Sequence, residues 1–135
     1  MKFDGLYMGI AELNAKQSHC NRTKTGALIV YNDRLVSAGW NGTPPSDDNT
    51  CQDENNVTKP EVVHAEMNAI LKAARDGVSV NGATMYVTLS PCSRCARAMI
   101  VSGIKRVVYR DAYRDSEGVD YLKSRGVDVL QWSGK

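Results

Sequence analysis

Two short apolar runs flank a two-residue polar turn, and three helix-then-strand units follow. That order limits the folds open to this chain more than any other feature. Ala27-Leu28-Ile29-Val30-Tyr31 reads as a strand, Asn32-Asp33 as a tight turn, and Arg34 to Trp40 as the returning antiparallel strand. Residues 63–76 then form a helix, favoured by Ala65, Ala69, Leu71 and Ala73 and stopped at Gly77. A strand follows over 83–89, broken by Ser90-Pro91, then a helix over 93–102 ending at Gly103. The pattern repeats as a strand at 105–109, a helix at 117–125 and a strand at 127–130. A leading segment, 3–18, carries Leu6, Ile10 and Leu13 at helical spacing. A hairpin followed by helical crossovers predicts an α/β fold with a mixed sheet and helices on both faces. At 135 residues the chain suits one domain, 1–135, and is too short for two ordinary ones.

Charge narrows the function. Seventeen basic and fifteen acidic residues leave a net +2, without the basic stripe that a nucleic-acid binder carries. No apolar run approaches the ~20 residues of a membrane span, and no signal core opens the chain, so a cytoplasmic location is expected. Residues 41–60 form the one long irregular loop, and loops of that length in compact domains usually carry function.

Chemistry concentrates in His64-Ala65-Glu66 and Pro91-Cys92-Ser93-Arg94-Cys95, each placed at a helix start after a loop. One imidazole and two thiolates suit Zn²⁺, and three protein ligands leave the open position of a catalytic rather than a structural site. Glu66, two residues past His64, is spaced to face that position without binding the metal, as a general acid–base must. His-x-Glu with Pro-Cys-x-x-Cys is the established signature of zinc deaminases. Cys20 and Cys51 stand alone and read as small hydrophobic residues; with His19 they are too few for a second metal.

At these motifs the sequence resembles the cytidine deaminase superfamily, in particular its deoxycytidylate branch of phage and bacterial type. The resemblance covers nearly the whole chain. It rests on His64 to Ile70, on Gly82 to Cys92, on Gly39-Trp40-Asn41-Gly42-Thr43-Pro44 and on Cys20 to Ala27. Trp40 stands where the family usually has Tyr. The resemblance implies a three-layer α/β/α sandwich with a five-stranded mixed sheet. It implies hydrolysis of dCMP to dUMP and ammonia, with zinc on His64, Cys92 and Cys95 and Glu66 as proton carrier. For the substrate it implies contacts from Asn41, Ala65, Ser90 and Tyr113, with Arg22 and Arg114 as candidates for the phosphate. It further implies a homohexamer activated by dCTP and inhibited by dTTP. Lys24, Gly39, Trp40, Gly42, Lys72 and Arg75 would serve the effector, and Mg²⁺ would accompany a triphosphate. Neither nucleic acid nor membrane is expected as a partner.

Two rivals differ in kind. One keeps the chemistry on tRNA adenosine, guanine or cytidine; free-nucleoside enzymes usually place Cys at the position of His64, and the balanced charge argues against tRNA. The other is a catalytically silent deaminase-like subunit, for which Glu66 would have no purpose.

Overall fold

The structure, a computed structural model, describes residues 1–21, 23–44 and 50–134. Nine elements follow in order: α1 (Asp4–Ala15), β1 (Gly26–Tyr31), β2 (Arg34–Trp40), α2 (Ala65–Arg75), β3 (Thr84–Leu89), α3 (Ser93–Ser102), β4 (Arg106–Asp111), α4 (Glu117–Ser124) and β5 (Asp128–Gln131). The five strands make one mixed sheet in the order β2-β1-β3-β4-β5. β1 runs antiparallel to both β2 and β3, while β3, β4 and β5 run parallel. Asn32 and Asp33 take φ of 50° and 59°, the left-handed pair that a two-residue hairpin needs and that Asn and Asp tolerate.

Side chains alternate across the strands and so build two cores. Ala27, Ile29, Met85, Val87 and Val107 face α2, α3 and α4, meeting Ala69, Ala96, Met99 and Leu122. Leu28, Val30, Tyr86 and Val108 face α1 on the other side, meeting Tyr7, Met8 and Ala11. The result is the three-layer sandwich expected. One detail differs. Leu6 and Leu13, whose spacing predicted α1, are 58% and 60% exposed. The buried face of α1 is instead Tyr7, Met8, Ala11 and Ala15, because small alanines let the helix lie close on the sheet.

The far side of the sheet from the motif loops is tied by an ion pair. Asp4, 1% exposed, accepts two hydrogen bonds from the Arg106 guanidinium at 2.7 and 3.0 Å and one from the Tyr86 hydroxyl at 2.7 Å. Burial alone would raise this carboxyl, but Arg106 and Tyr86 hold it well below the usual carboxylate range. A depressed carboxyl contributes its full stability above pH ~4 and loses it progressively as pH falls below that. Asp4→Asn leaves the Arg106 guanidinium with only the more distant, exposed Asp128 carboxylate, at 3.6 Å. It should cost about 3 kcal/mol in a urea titration at pH 7, with the difference from wild type shrinking in acid. An unchanged midpoint at pH 7 would show the pair to be dispensable.

Candidate active site

One edge of the sheet gathers everything the motifs singled out. β1 begins there after Thr25, β2 ends there before Asn41, and β3 and β4 end there before Ser90 and Tyr113. Helices α2 and α3 start at the same edge, with His64 and Cys92 as their N-terminal flanking residues. Ligand sites of open α/β sheets lie at such an edge, beyond the carboxyl ends of the parallel strands. Placement of α2 depends on Gly39 of β2. A Cβ there would stand 2.6 Å from the Ala65 carbonyl oxygen and 2.7 Å from the Ala69 nitrogen, so only glycine lets the helix lie this close. Asn68 fastens the contact by donating to the Trp40 carbonyl at 2.7 Å.

His64, Cys92 and Cys95 converge. Their donor atoms all lie within 4.8 Å of one another, and no other such trio of His, Cys, Asp or Glu occurs among the described residues. His64 Nδ1 is 3.6 Å from Cys92 Sγ and 3.3 Å from Cys95 Sγ. Tetrahedral zinc, with Zn–N of about 2.0 Å and Zn–S of about 2.3 Å, separates such donors by about 3.5 Å, so the trio fits the ion. The local electrostatics suit a cation as well. A hydrogen bond from Cys95 and another from His64 lower the Cys92 thiol to about 3. Cys95 is driven in the opposite direction by its bond to Cys92 and by burial. The thiol pair therefore holds one proton between them, which a metal would displace.

Glu66, in the first turn of α2, is 4% exposed. Burial pushes its carboxyl up to about 7, against the opposing pull of its hydrogen bonds and of His64. A carboxyl near neutrality beside a metal trio is placed to take up and give back a proton at working pH.

A pocket of about 280 Å³ opens at this point, close to the lower end, about 300 Å³, of small-molecule sites. It is lined by His64, Ala65, Glu66 and Cys92, and by Asn41, Ser90, Tyr113 and Arg114 from the residues picked out in the sequence. Asn41 is already engaged: its Oδ1 accepts from the Thr25 N–H and its Nδ2 donates to the Thr23 carbonyl, each at 2.8 Å. The amide thus braces the strand entry that forms one pocket wall. Ser90 likewise uses its hydroxyl to accept from the Tyr113 N–H at 2.7 Å. Arg22 lies outside the described residues.

The residues expected at an effector scatter more widely. Lys72 places its Nζ 4.4 Å from the centre of the Trp40 ring. Gly42 pairs with Val63, and Gly39 lies buried under α2. Lys24 donates to the Ser18 carbonyl, and Arg75 pairs with Asp76 on the exposed end of α2. None of these lines the pocket described above.

Cys20 and Cys51 correct the sequence reading. They form a disulfide, with Cα atoms 5.2 Å apart across 31 residues of sequence. Two cysteines that stand alone in sequence become neighbours because the loop after β2 folds back over the segment before β1. Thr23, Thr25, Gln52, Thr58 and Val62 also line the pocket and were missed. Residues in irregular segments carry no periodicity; the length of the 41–60 loop was the pointer to Gln52 and Thr58, and the resemblance over Cys20 to Ala27 the pointer to Thr23 and Thr25.

Comparison with known proteins agrees with this geometry. Residues 1–111 match the model of the cytidine and deoxycytidylate deaminase zinc-binding region. The deoxycytidylate deaminase of phage T4 is 37% identical over 164 aligned positions, covering 90% of this chain and 85% of that protein. Among solved structures, the dCMP deaminase of cyanophage S-TIM5, in complex with dCMP and dUMP, superposes with a TM-score of 0.94. It is 39% identical and covers 97% of each chain. A tRNA A34 deaminase structure is more distant, at 26% identity and a TM-score of 0.67 over 94% of this chain and 97% of that one. With its motif trio assembled, its fold superposing on a solved dCMP deaminase and most of its length matched, this chain belongs to the cytidine and deoxycytidylate deaminase family.

Proposed function

We infer that this chain is a zinc-dependent enzyme that hydrolyses dCMP to dUMP and ammonia. The observation that carries the reading is the buried Glu66 set beside the His64, Cys92 and Cys95 donors, with Glu66, His64 and Cys92 in the lining of one small-molecule pocket. The likeness to dCMP deaminases of two phages supports dCMP as the substrate. Zinc, when bound by His64, Cys92 and Cys95, supplies a Lewis acid that lowers the pKa of a coordinated water toward ~7. Glu66 does the proton work. Its carboxylate takes the proton that water loses on adding to C4 and delivers it to N3 of the pyrimidine. It then takes the remaining proton from the hydroxyl added at C4 and passes it to the exocyclic nitrogen as the C4–N bond breaks, so ammonia leaves and the carbonyl of dUMP remains.

The backbone at Ala65, the Asn41 amide and the Tyr113 ring hold base and sugar, and Arg114, with Arg22, meets the phosphate. dCTP activates and dTTP inhibits through a region around Trp40, Gly42 and Lys72, with Gly39 shaping it from below and Lys24 and Arg75 at its margin. A triphosphate there brings Mg²⁺. The working enzyme is a cytoplasmic homohexamer. Among the described residues no helix is long and apolar enough to cross a membrane.

Ammonia release by the zinc-loaded protein tests the reading. dCMP should be turned over, with kcat/KM at least about 10²-fold above deoxycytidine, because phosphate-binding groups left unpaired penalise the nucleoside. dCTP should raise the rate at low dCMP and dTTP should lower it. Inosine formed in tRNA, with dCMP untouched, would move the chain to the other branch of the family. No turnover of any substrate would favour the silent subunit.

A further inference from the structure

The connection from β4 to α4 carries Tyr113 and Arg114, and two anchors pin it to the loop that bears Cys92. The first is Ser90. Its hydroxyl, on a residue only 5% exposed, accepts from the Tyr113 N–H at 2.7 Å, and its own N–H donates to the Asp111 carbonyl at 2.9 Å. The second is Gly118, in the first turn of α4. A Cβ there would stand 2.1 Å from the Pro91 carbonyl oxygen, 2.7 Å from the Cys92 carbonyl carbon and 2.8 Å from its oxygen. These are backbone atoms that cannot step aside, so α4 reaches its place only because residue 118 lacks a side chain.

Between these anchors Tyr113 and Arg114 line the pocket while remaining exposed. Among the described residues neither side chain has a hydrogen-bond partner. Among the described residues, then, no side-chain hydrogen bond aims them, and the backbone anchors do. We propose that Ser90 and Gly118 are positioning residues that fix Tyr113 and Arg114 over the pocket, and so set how tightly the nucleotide is held. The proposal rests on the dCMP reading above. Its logic is independent of the metal: the anchors act through the backbone of residues 111–118, and the donor trio and Glu66 stay where they are.

The test is steady-state kinetics with dCMP on the full-length, zinc-loaded protein. Ser90→Ala should raise KM about tenfold, the worth of one hydrogen bond to a half-buried N–H, with kcat within about threefold of wild type. Zinc content should be unchanged. Ser90→Thr, which keeps the hydroxyl, should restore most of the KM. In a background with both Tyr113→Ala and Arg114→Ala, Ser90→Ala should add little, because it acts only through the contacts those two side chains make. Gly118→Ala should behave as Ser90→Ala does; should it fail to fold, the serine series still decides. An unchanged KM in Ser90→Ala, or a full-sized additional effect in the background lacking both Tyr113 and Arg114 side chains, would overturn the proposal. Absence of dCMP turnover by the wild-type protein would instead sink the functional reading, so the two failures are separable.

Discussion

Glu66→Gln is expected to keep one zinc per chain, to fold normally, and to deaminate dCMP about 10³-fold more slowly than wild type. The amide fills the same space and can donate, but it cannot accept the proton lost by water and hand it to N3. The stability side of the prediction comes from burial. A carboxyl raised to about 7 is one whose ionised form the fold disfavours, so folding at pH 7 works against this group. The uncharged amide removes that conflict, and the thermal midpoint of the metal-free variant should be no lower than wild type. Loss of rate with retained or improved stability separates a chemical role from a structural one. Metal analysis, a thermal melt and an ammonia assay on one preparation check all three parts. Activity within tenfold of wild type would remove Glu66 from the mechanism.

Cys92→Ala should have the largest effect of all, abolishing metal binding and turnover together. Three donors are the minimum for a catalytic zinc, and changes to groups that merely support such ligands already cost about 10- to 100-fold in affinity. Removing a ligand outright should exceed that, leaving the protein metal-free after gel filtration. The metal-free trio predicts a pH effect with a definite sign. The Cys92 thiol is pushed down by its hydrogen bonds from Cys95 and His64, and the Cys95 thiol is pushed up by its bond to Cys92 and by burial, so the pair favours the singly protonated form. Zinc must expel that proton, so affinity should rise with pH, and calorimetry in buffers of different ionisation enthalpy should register the release. Full zinc in Cys92→Ala, or proton uptake on binding, would contradict the donor set. In the wild type, a chelator should remove activity and added zinc should return it.

Much of this was legible from sequence because its signals are local. The hairpin announced itself through Asn32-Asp33, and the crossovers through Gly77, Ser90-Pro91 and Gly103, each of which interrupts a periodic run. The trio was legible because two short motifs carry all its atoms. What escaped depends on contacts between distant segments. The apolar spacing of Leu6, Ile10 and Leu13 identified α1 but pointed to the wrong face, since the sheet selects small residues for close approach. Cys20 and Cys51 pair only because a long loop turns back, which no spacing rule reveals. Asn41 and Ser90 line the pocket; what the sequence did not reveal is that both side chains also brace neighbouring backbone. Gly118 gave no sequence signal at all, because a glycine near a helix start has many explanations and the neighbouring backbone supplies the reason.

X-ray absorption at the zinc edge of the loaded protein, without nucleotide, probes the metal's ligands directly. One nitrogen and two sulfur scatterers, with a light oxygen donor completing the shell, is the expected result. A third sulfur or a second imidazole would mean that the chain itself closes the position where water must enter, and hydrolysis at this site would be ruled out.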